Sequence, residues 1–472
     1  MKKIIATCFR IRVTALLLIT AYSAPSVAQE VGCSSYVTAN GGTIEVEARE
    51  SGESTEDLQC AMQAAIDGGY SDIFLVSGDY SISNVAAKNL VGTIRGRSKG
   101  TTKVTINDYS ISCNGASTSA FSFTNGNISL KNFTISVQTP CADPGSVSVV
   151  GIYSDGGKCS NRTAFANLDR LAITGAGTDS EDYVTGVTVA AAEGCSASNE
   201  RILGTLKVNR SEITKLHFGV FTSLAGGGQV DINYNSFAEV GLPITIFNAQ
   251  QSTTVLANTI NYNDSSDFDS GSGLGTVGVY IVSDKDSPGS NSTALKSNKF
   301  FDGGLSPSGV AISAGQLEKK VAHKLFISAN TFTGNSNNIS GAGILAIDTR
   351  DGVISSNKFK SSAGAWIALS NGPASSGFVE GPVTGWGVLA NSFSASSATA
   401  DIDFGPGTAG AVVVGSSGSP CVISQSNADN YILDESECAS RTVAAARRDV
   451  DMRQPEYYEP ERLYRLLLKV RQ

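Results

Sequence analysis

The chain has 472 residues, a net charge of −8 and no dense basic stripe, which argues against nonspecific nucleic-acid binding because that requires neutralisation of phosphates. Its 50 Gly, its frequent Ser, Thr and Asn and its short runs of Val and Ile indicate turns and strands rather than long helices. The chain is long for one ordinary core, but a solenoid grows by adding repeats.

The first 28 residues are typical of a secretory signal peptide. Basic residues precede a short apolar stretch, VTALLLITAY (13–22), and the small residues SVA (26–28) precede an expected cleavage site before Gln29. The alternative, a membrane anchor, is disfavoured because the apolar run is too short to span a bilayer. We therefore predict an exported protein of the periplasm, the cell surface or the medium.

Removal of the signal peptide leaves an even number of cysteines, which predicts disulfides in an exported protein. Pairing each cysteine with its nearest neighbour is one of many possible connectivities. The nearest-neighbour pairs are Cys33–Cys60, Cys113–Cys141, Cys159–Cys195 and Cys421–Cys438. A zinc site is the alternative, but the chain has no CxxC pattern and only two His.

The N-terminal segment, 29–70, contains the stretch STEDLQCAMQAAID (54–67), whose Ser-x-x-Asp start predicts a short helix. We expect this helix to cover an open end of the following sheets, because uncovered strand edges promote aggregation. The stretches DIFLVSGDYSIS (72–83) and VGTIRGRSKGTTKVTI (91–106) supply the first strands.

The middle of the chain repeats a motif of Asn, any residue, then Phe or Ile. The motif places these residues in register: Asn235, Asn258, Asn298, Asn330, Asn357 and Asn391. Upstream, Ser211 and Asp169 fit the same position with a substituted first residue, and Leu171 then follows Asp169 as the apolar partner. The residues three positions before and two positions after the Asn are apolar throughout, so we predict that both point inward.

Each repeat continues with a Gly and a short apolar strand, as in GVTVA (186–190), GVFTS (219–223) and GVYIV (278–282). Irregular periods with a minimum of about 23 residues predict three short strands per turn and exclude helical repeats, whose amphipathic segments are longer. A sandwich or a propeller explains neither the paired strand signals nor the Asn between them. We predict an all-β parallel β-helix over 71–440.

The last residues, 441–472, change to a charged composition that predicts a helix. This segment is interpreted as a tail or a cap, with a partner-binding helix as the alternative.

Taken together, the helix followed by FLVSGDYSIS, the segment IRGRSKGTTKVTI, and the Asn motif with its Gly-Val strand resemble the pectate-lyase-like superfamily of single-stranded right-handed parallel β-helices over 54–435. The resemblance implies that the Asn ladder is structural. It places the Asn at the bend between the second and third strands, where Asn tolerates a left-handed backbone and its amide bonds to neighbouring turns. It also implies that the Gly-led strands form the sheet that carries the substrate cleft in enzymes of this family, although the fold hosts many functions.

Alternation along the Gly-led strand points the residue after Gly inward and the next residue outward. The predicted outward column is Tyr153, Thr188, Phe221, Thr245, Tyr280, Ala311, Leu345 and Trp366. Aromatic rings provide platforms for sugar rings, so Tyr153, Phe221, Tyr280 and Trp366 are the predicted substrate-binding residues. The alternative is that loops cover this column and bury it.

The candidate catalytic cluster is Lys215 and His217, which lead into Gly219, with Glu239 in the matching loop of the next turn. A polysaccharide lyase needs a base that removes the proton beside a uronate carboxyl and cations that stabilise the resulting charge. Solvated loop charges are the alternative. The adjacent Asp pair and Gly-His-Gly of β-helix polygalacturonases are absent, as are the Arg-x-Pro-x-x-Arg of pectate lyases and the Asp-Pro-His of alginate epimerases.

The longest predicted cleft-side loop, NYNDSSDFDSGSGLG (261–275), carries Asp264, Asp267 and Asp269. Closely spaced carboxylates suit Ca²⁺, although the spacing is not that of an EF-hand and a plain flexible loop is the alternative.

The sequence therefore predicts an exported carbohydrate-active protein that binds a polysaccharide or surface glycan along its Gly-led sheet and cleaves it by β-elimination if it is an enzyme. The alternative is a noncatalytic cell-surface or matrix β-helix protein of the adhesin or structural kind. Neither reading involves nucleic acid or an integral membrane segment after removal of the signal peptide. Catalysis and oligomeric state are left open.

Overall fold

The structure is a computed structural model, and a large part of the chain is described in it. The described residues are 29–30, 32–106, 118–137, 147–154, 165–175, 184–191, 205–223, 229–247, 252–261, 277–283, 290–301, 310–316, 322–333, 339–347, 351–360, 363–370, 383–394, 401–405, 408–419, 422–425, 430–432 and 439–440. The predicted signal peptide and the predicted C-terminal tail lie outside these residues. No helix among the described residues is long and apolar enough to cross a membrane.

The chain folds as a right-handed parallel β-helix, which confirms the predicted class and excludes a sandwich or a propeller. Its strands stack in parallel in three rows, apart from the first three strands, which pair antiparallel with one another at the start of the first row.

The first row, which precedes the Asn bend, contains β1 (Gln29–Glu30), β2 (Val37–Asn40), β3 (Thr43–Val46), β4 (Asp72–Leu75), β7 (Val91–Gly96), β10 (Asn127–Lys131), β13 (Phe165–Asp169), β16 (Thr205–Asn209), β18 (Gln229–Asn233), β20 (Ser252–Leu256), β23 (Ser290–Lys296), β26 (Ala322–Ser328), β29 (Gly352–Ser355), β33 (Gly387–Leu389), β37 (Val412–Val414) and β40 (Tyr431–Ile432).

The second row, which follows the bend, contains β5 (Gly78–Ile82), β8 (Thr102–Ile106), β11 (Thr134–Val137), β14 (Ala172–Thr174), the start of β17 (Glu212–Ser223), the start of β19 (Ser236–Phe247), β21 (Thr259–Asn261), β24 (Lys299–Phe301), β27 (Thr331–Thr333), β30 (Lys358–Lys360), β34 (Ser392–Ser394) and β38 (Ser417–Ser419).

The third row, the predicted Gly-led sheet, contains β6 (Val85–Lys88), β9 (Thr118–Thr124), β12 (Val147–Ser154), β15 (Val184–Ala191), the ends of β17 and β19, β22 (Val277–Ser283), β25 (Val310–Gln316), β28 (Ile339–Ile347), β31 (Ala363–Ser370), β35 (Ile402–Phe404), β39 (Val422–Gln425) and β41 (Ala439–Ser440). Two short strands, β32 (Val383–Thr384) and β36 (Thr408–Ala409), pair separately.

The predicted inward columns form the core. Aliphatic residues three positions before the ladder Asn, such as Val255 and Ile327, are fully buried. On the other side of the bend, the rings of Phe300, Phe332 and Phe359 stack with centroids 4.9 and 4.7 Å apart. This stack continues to Phe393 at 5.0 Å, so the core is one continuous column along the helix axis.

The Asn ladder is a chain of buried amides, as the resemblance implies. In one repeat, Asn298 Oδ1 accepts the backbone N–H and the Nδ2–H of Asn258 at 2.9 and 3.0 Å, while Asn298 Nδ2 donates to Val255 O at 2.8 Å and to Asn330 Oδ1 at 3.0 Å. The same pattern joins the turns from Asn235 to Asn391. The amides therefore satisfy one another in place of water.

The left-handed backbone is not at the ladder Asn but at the residue before it, which corrects the expectation drawn from the resemblance. The residues with positive φ at this bend are Asn132, Arg170, Arg210, Tyr234, Ala257, Ser297, Ala329, Ser356 and Ala390. In this conformation the preceding residue turns the chain, and the Asn that follows points its amide inward.

The upstream alignment of Asp169 with the ladder is wrong by two residues. Asp169 pairs with Asn209 across the first row, and Leu171 N–H donates to Ser211 Oγ at 3.2 Å. Leu171 therefore occupies the ladder position, and Ile173 pairs with Ile213 as the inward residue. Ser211, by contrast, lies where predicted and donates its N–H to Asn235 Oδ1 at 2.9 Å.

The N-terminal end of the stack carries α1 (Thr55–Gly68), at the position predicted for a helix. The predicted capping differs, because Ser54 makes no side-chain cap bond and the Asp57 carboxylate instead accepts hydrogen bonds from Arg49 and Ser34. Burial raises the pKa of Asp57, but these two hydrogen bonds outweigh it and hold the pKa below its usual value. The predicted Cys33–Cys60 disulfide joins this helix to the preceding segment, whereas the other six predicted partners lie outside the described residues.

Candidate functional site

The outward column of the third row is set by the strand register. From turn to turn, the aligned residues are Gly151, Thr188, Phe221, Thr245, Tyr280, Ser313, Leu345 and Ala368. Thr188, Phe221, Thr245, Tyr280 and Leu345 lie where predicted. Tyr153, Ala311 and Trp366 do not, because the leading Gly does not occupy the same position in every turn.

Trp366 lies in the core, so its predicted place on the outward column is wrong. Its side chain is 1% exposed, and its ring centroid lies 5.3 Å from that of Phe359. The flanking pairs place Trp366 opposite Gly343, and a Cβ on Gly343 would meet the indole ring. Trp366 therefore occupies the inward position that Gly takes in the preceding turn.

Tyr153 also lies apart from the column. It pairs with Ala190, two residues beyond the position that aligns with Phe221. Its hydroxyl lies 2.7 Å from Ser119 Oγ, in the turn before it. Tyr153 is half-buried, but it does not continue a row of rings with Phe221 and Tyr280.

The central part of the column alternates hydroxyl and aromatic side chains over four turns: Thr188, Phe221, Thr245 and Tyr280. Their neighbours along the strands are buried, so alternation turns these four side chains outward. Thr188 and Phe221 are half-buried, whereas Thr245 and Tyr280 are buried. Burial raises the pKa of the Tyr280 phenol, which is therefore neutral at physiological pH.

Two observations describe the side chains of this column: a contact between aromatic rings and a hydroxyl without a hydrogen bond. The ring of Phe221 meets that of Phe218 edge-on, with centroids 6.4 Å apart, which is a favourable aromatic geometry. The Thr245 hydroxyl has no hydrogen-bond partner in the described part of the chain. An unsatisfied buried hydroxyl is unfavourable, and because Thr245 is buried, this hydroxyl is not accessible to a ligand on the surface. Phe218 was missed by sequence reasoning, and its only signal is an aromatic residue directly before Gly219.

Lys215 and Glu239, two of the predicted catalytic residues, lie together. They occupy equivalent bends of β17 and β19, both with left-handed backbone (φ 57° and 55°), where the second row passes directly into the third. Lys215 Nζ lies 4.0 Å from Glu239 Oε2, and both side chains are well exposed to solvent. Such an exposed pair adds little stability, about 1 kcal/mol at most.

His217, the third predicted catalytic residue, is buried at 3% exposure. Leu216 belongs to the core, so alternation points the imidazole to the outer side of the sheet. Burial lowers the pKa of His217 to about 4, and its Nδ1 accepts the Val184 N–H at a long 3.5 Å. The neutral ring is a weak base at physiological pH, which suits a hydrogen-bonding role better than proton abstraction.

The predicted calcium ligands Asp264, Asp267 and Asp269 lie outside the described residues. Among the residues that are described, no group of three or more His, Cys, Asp or Glu side chains is arranged to hold a metal ion.

Comparison with solved structures supports the fold. The chain is similar to the A-module of mannuronan C-5 epimerase AlgE6 of Azotobacter vinelandii, with 11% identity and a TM-score of 0.50 over 84% of this chain and 98% of that one. It is also similar to the AlgE4 A-module of the same organism, with 12% identity and a TM-score of 0.46 over 82% and 96% of the two chains. The catalytic unit of a thermostable GH87 α-1,3-glucanase from Streptomyces thermodiastaticus gives 12% identity and a TM-score of 0.45 over 88% and 72%.

No protein-family model matches the sequence, and no curated protein matches it. At these identities the similarity concerns the fold alone. The three rows, the Asn ladder and the parallel register define a right-handed parallel β-helix protein.

Proposed function

We propose that the chain is an exported, carbohydrate-active β-helix protein that binds an extended polysaccharide along the outer side of its third row. The observation that carries this proposal is the column Thr188, Phe221, Thr245 and Tyr280, in which hydroxyl and aromatic groups alternate from turn to turn. Aromatic faces suit the apolar faces of sugar rings, and hydroxyls suit their edges.

The arrangement favours a long ligand that runs parallel to the helix axis. Successive turns are about 4.8 Å apart, so the column runs in the direction of such a chain. Its accessible side chains are Thr188 and the ring of Phe221 in adjacent turns, whereas Thr245 and Tyr280 are buried. The AlgE6 module acts on mannuronan, a polysaccharide, which is consistent with a glycan as the ligand.

Replacement of Phe221 tests this binding face. We expect Phe221→Ala and Phe221→Leu each to weaken polysaccharide binding roughly three- to tenfold, because both lose the aromatic face while Leu keeps apolar volume. The matched control is Phe301→Ala, which removes an exposed ring from the second row. Binding is measured by calorimetry on a panel of polysaccharides, with unfolding curves to verify the fold. Wild-type affinity in both Phe221 variants would exclude this face.

A second candidate function, β-elimination, is favoured by the Lys215–Glu239 pair beside Phe218 and Phe221. In this reaction a base removes the proton on the carbon next to a uronate carboxyl. The electron pair forms a C=C bond as the glycosidic C–O bond breaks, and the departing oxygen takes up a proton from water. The Lys215 ammonium would neutralise the uronate carboxylate and Glu239 would accept the proton, whereas the buried His217 would make no direct contact with the substrate.

The lyase reaction is tested by the ultraviolet absorbance of new unsaturated chain ends on uronate polysaccharides. We expect Lys215→Met and Glu239→Gln to abolish it, while Phe301→Ala leaves it unchanged. The proposed calcium site at Asp264, Asp267 and Asp269 is tested in the same assay with a chelator. We expect the chelator to remove the activity and added calcium to restore it. No absorbance across the panel would instead favour the noncatalytic surface or matrix protein, with the binding face still to be judged by the Phe221 variants. Export predicts a mature N-terminus at Gln29 in the secreted fraction.

A further inference from the structure

The bend that precedes the Asn ladder forms a second column, which faces solvent on another edge of the helix. Arg170, Arg210 and Tyr234 occupy it in three successive turns, all with left-handed backbone at φ 54°, 50° and 60°. Backbone hydrogen bonds stack these bends in register: Arg170 N–H donates to Asn209 O at 3.0 Å and Arg210 N–H to Asn233 O at 3.1 Å. The three side chains therefore leave the surface about 4.8 Å apart.

Tyr234 is unusual for its position. It is 60% exposed, and a left-handed backbone is unfavourable for a bulky aromatic residue. In the later described turns the same bend carries only small residues: Ala257, Ser297, Ala329, Ser356 and Ala390. The fold therefore does not require a tyrosine here, and its large ring is left on the surface.

The arginine next to Tyr234 is held in place. Arg210 contacts the Asp169 carboxylate through Nε at 2.8 Å and through Nη2 at 2.7 Å, and the Asp169 side chain is almost buried. A guanidinium has more donors than this pair uses, and those donors remain for a ligand. Arg170, one turn earlier, is exposed and adds a second positive charge on a chain whose net charge is −8.

We propose that Arg170, Arg210 and Tyr234, the Arg–Tyr edge, bind an acidic sugar unit of a uronate-containing glycan. The guanidinium groups match the planar carboxylate, and the phenol ring offers a stacking face for the adjoining sugar. This edge lies between the first and second rows, whereas Phe221 lies on the third row, so it is a second glycan contact independent of the proposed binding face.

The bend itself supplies the variants for a clean test. Tyr234→Ala recreates Ala257 of the next turn, and Arg170→Ala places the same small residue at an equivalent bend, so neither disturbs the fold. Ser356→Ala is the matched control at the same bend position further along the stack. Arg210 is not replaced, because its removal would leave the nearly buried Asp169 carboxylate without the guanidinium that pairs with it.

Binding is measured to polygalacturonate and to its methyl-esterified form, in the wild-type chain and in a Phe221→Ala background that removes the third-row contact. We expect Tyr234→Ala and Arg170→Ala each to weaken polygalacturonate binding roughly three- to tenfold in both backgrounds, while Ser356→Ala has no effect. The Arg170 effect should vanish on the ester and diminish with added salt.

Unchanged polygalacturonate affinity in both edge variants would overturn the proposal. An equal loss of affinity for the methyl-esterified form would also overturn it, because the arginine would then not be recognising a carboxylate. If the Phe221→Ala single variant no longer binds polygalacturonate, the Arg–Tyr edge is not an independent contact. The proposed binding face on the third row would still be supported by that result.

Discussion

The Asn-bend corner and the third row follow different rules, although every turn contributes to both. At the bend, buried amides bond at nearly constant distances of 2.7–3.0 Å and the Phe rings below them stack within 8° of parallel. In the third row, the outward residue changes at each turn and the register shifts between Ile339 and Ala342. Because the Asn bend fixes the stacking of the turns, the third row can vary from turn to turn. Function is therefore to be sought on the third row, where the repeat is least regular.

The largest expected effect comes from the Phe stack at the bend. Phe359→Ala should cost about 3–5 kcal/mol in the free energy of unfolding, because it leaves a cavity between two stacked rings and Trp366. The measurement is equilibrium denaturation in urea. Phe301→Ala, whose ring is 38% exposed, is the control and should cost about 1 kcal/mol or less. Equal costs would mean that the stack does not carry the stability of this corner.

Interruption of the amide ladder should be nearly as harmful. Asn298→Ala removes the acceptor of two buried Asn258 donors and both donors to Val255 and Asn330, at a cost of about 3 kcal/mol. Asn298→Ser should recover part of it, since Ser211 occupies this position naturally at the upstream end of the ladder. The neighbouring exposed Lys299→Ala is the control in the same unfolding experiment. A neutral Asn298→Ala would show that water replaces the amide.

The sequence predicts the bend corner well and the third row poorly, for a physical reason. The turns from Ser211 to Ser416 carry an Asn or Ser at the same place and an apolar residue at fixed distances from it, so register is encoded repeatedly. The pattern ends upstream, where Leu171 and, one turn earlier, Phe133 take the place of the polar residue. In the third row, Gly marks close approach rather than a fixed step: Gly219 avoids a clash with Pro243 O, whereas Trp366 fills the corresponding inward position in a later turn.

The candidate site was predictable only in part. Lys215 and Glu239 could be brought together from sequence, because they precede the third-row strand by the same number of residues in adjacent turns. The burial of His217 could not, because its residue type gives no indication of what covers the outer side of a sheet. Thr245 was visible in the alignment, but its unpartnered hydroxyl is a property of packing.

The buried imidazole gives the third row a pH response that the bend corner lacks. Because the folded pKa of His217, about 4, lies below the unfolded value, stability is complete above about pH 6.5 and is lost as the pH falls towards 4. The loss is at most about 3 kcal/mol, from the difference between the two pKa values. Urea unfolding from pH 7 to pH 4 measures it. A His217→Gln variant should lack this component, and an unchanged pH profile in that variant would assign the response to other groups.

The smallest expected effect tests whether a buried hydroxyl is structural or serves a ligand. Thr245 on the third row and Thr253 on the first row are both buried, and neither hydroxyl has a hydrogen-bond partner in the described parts of the chain. Replacement of either by Val removes an unsatisfied polar group at nearly constant shape, so each variant should gain about 1 kcal/mol in unfolding free energy. Neither variant should change polysaccharide affinity, because both hydroxyls are buried and a ligand on the surface does not reach them. A loss of affinity confined to Thr245→Val would show that the ligand does reach the third-row hydroxyl and that stability is given up there for binding.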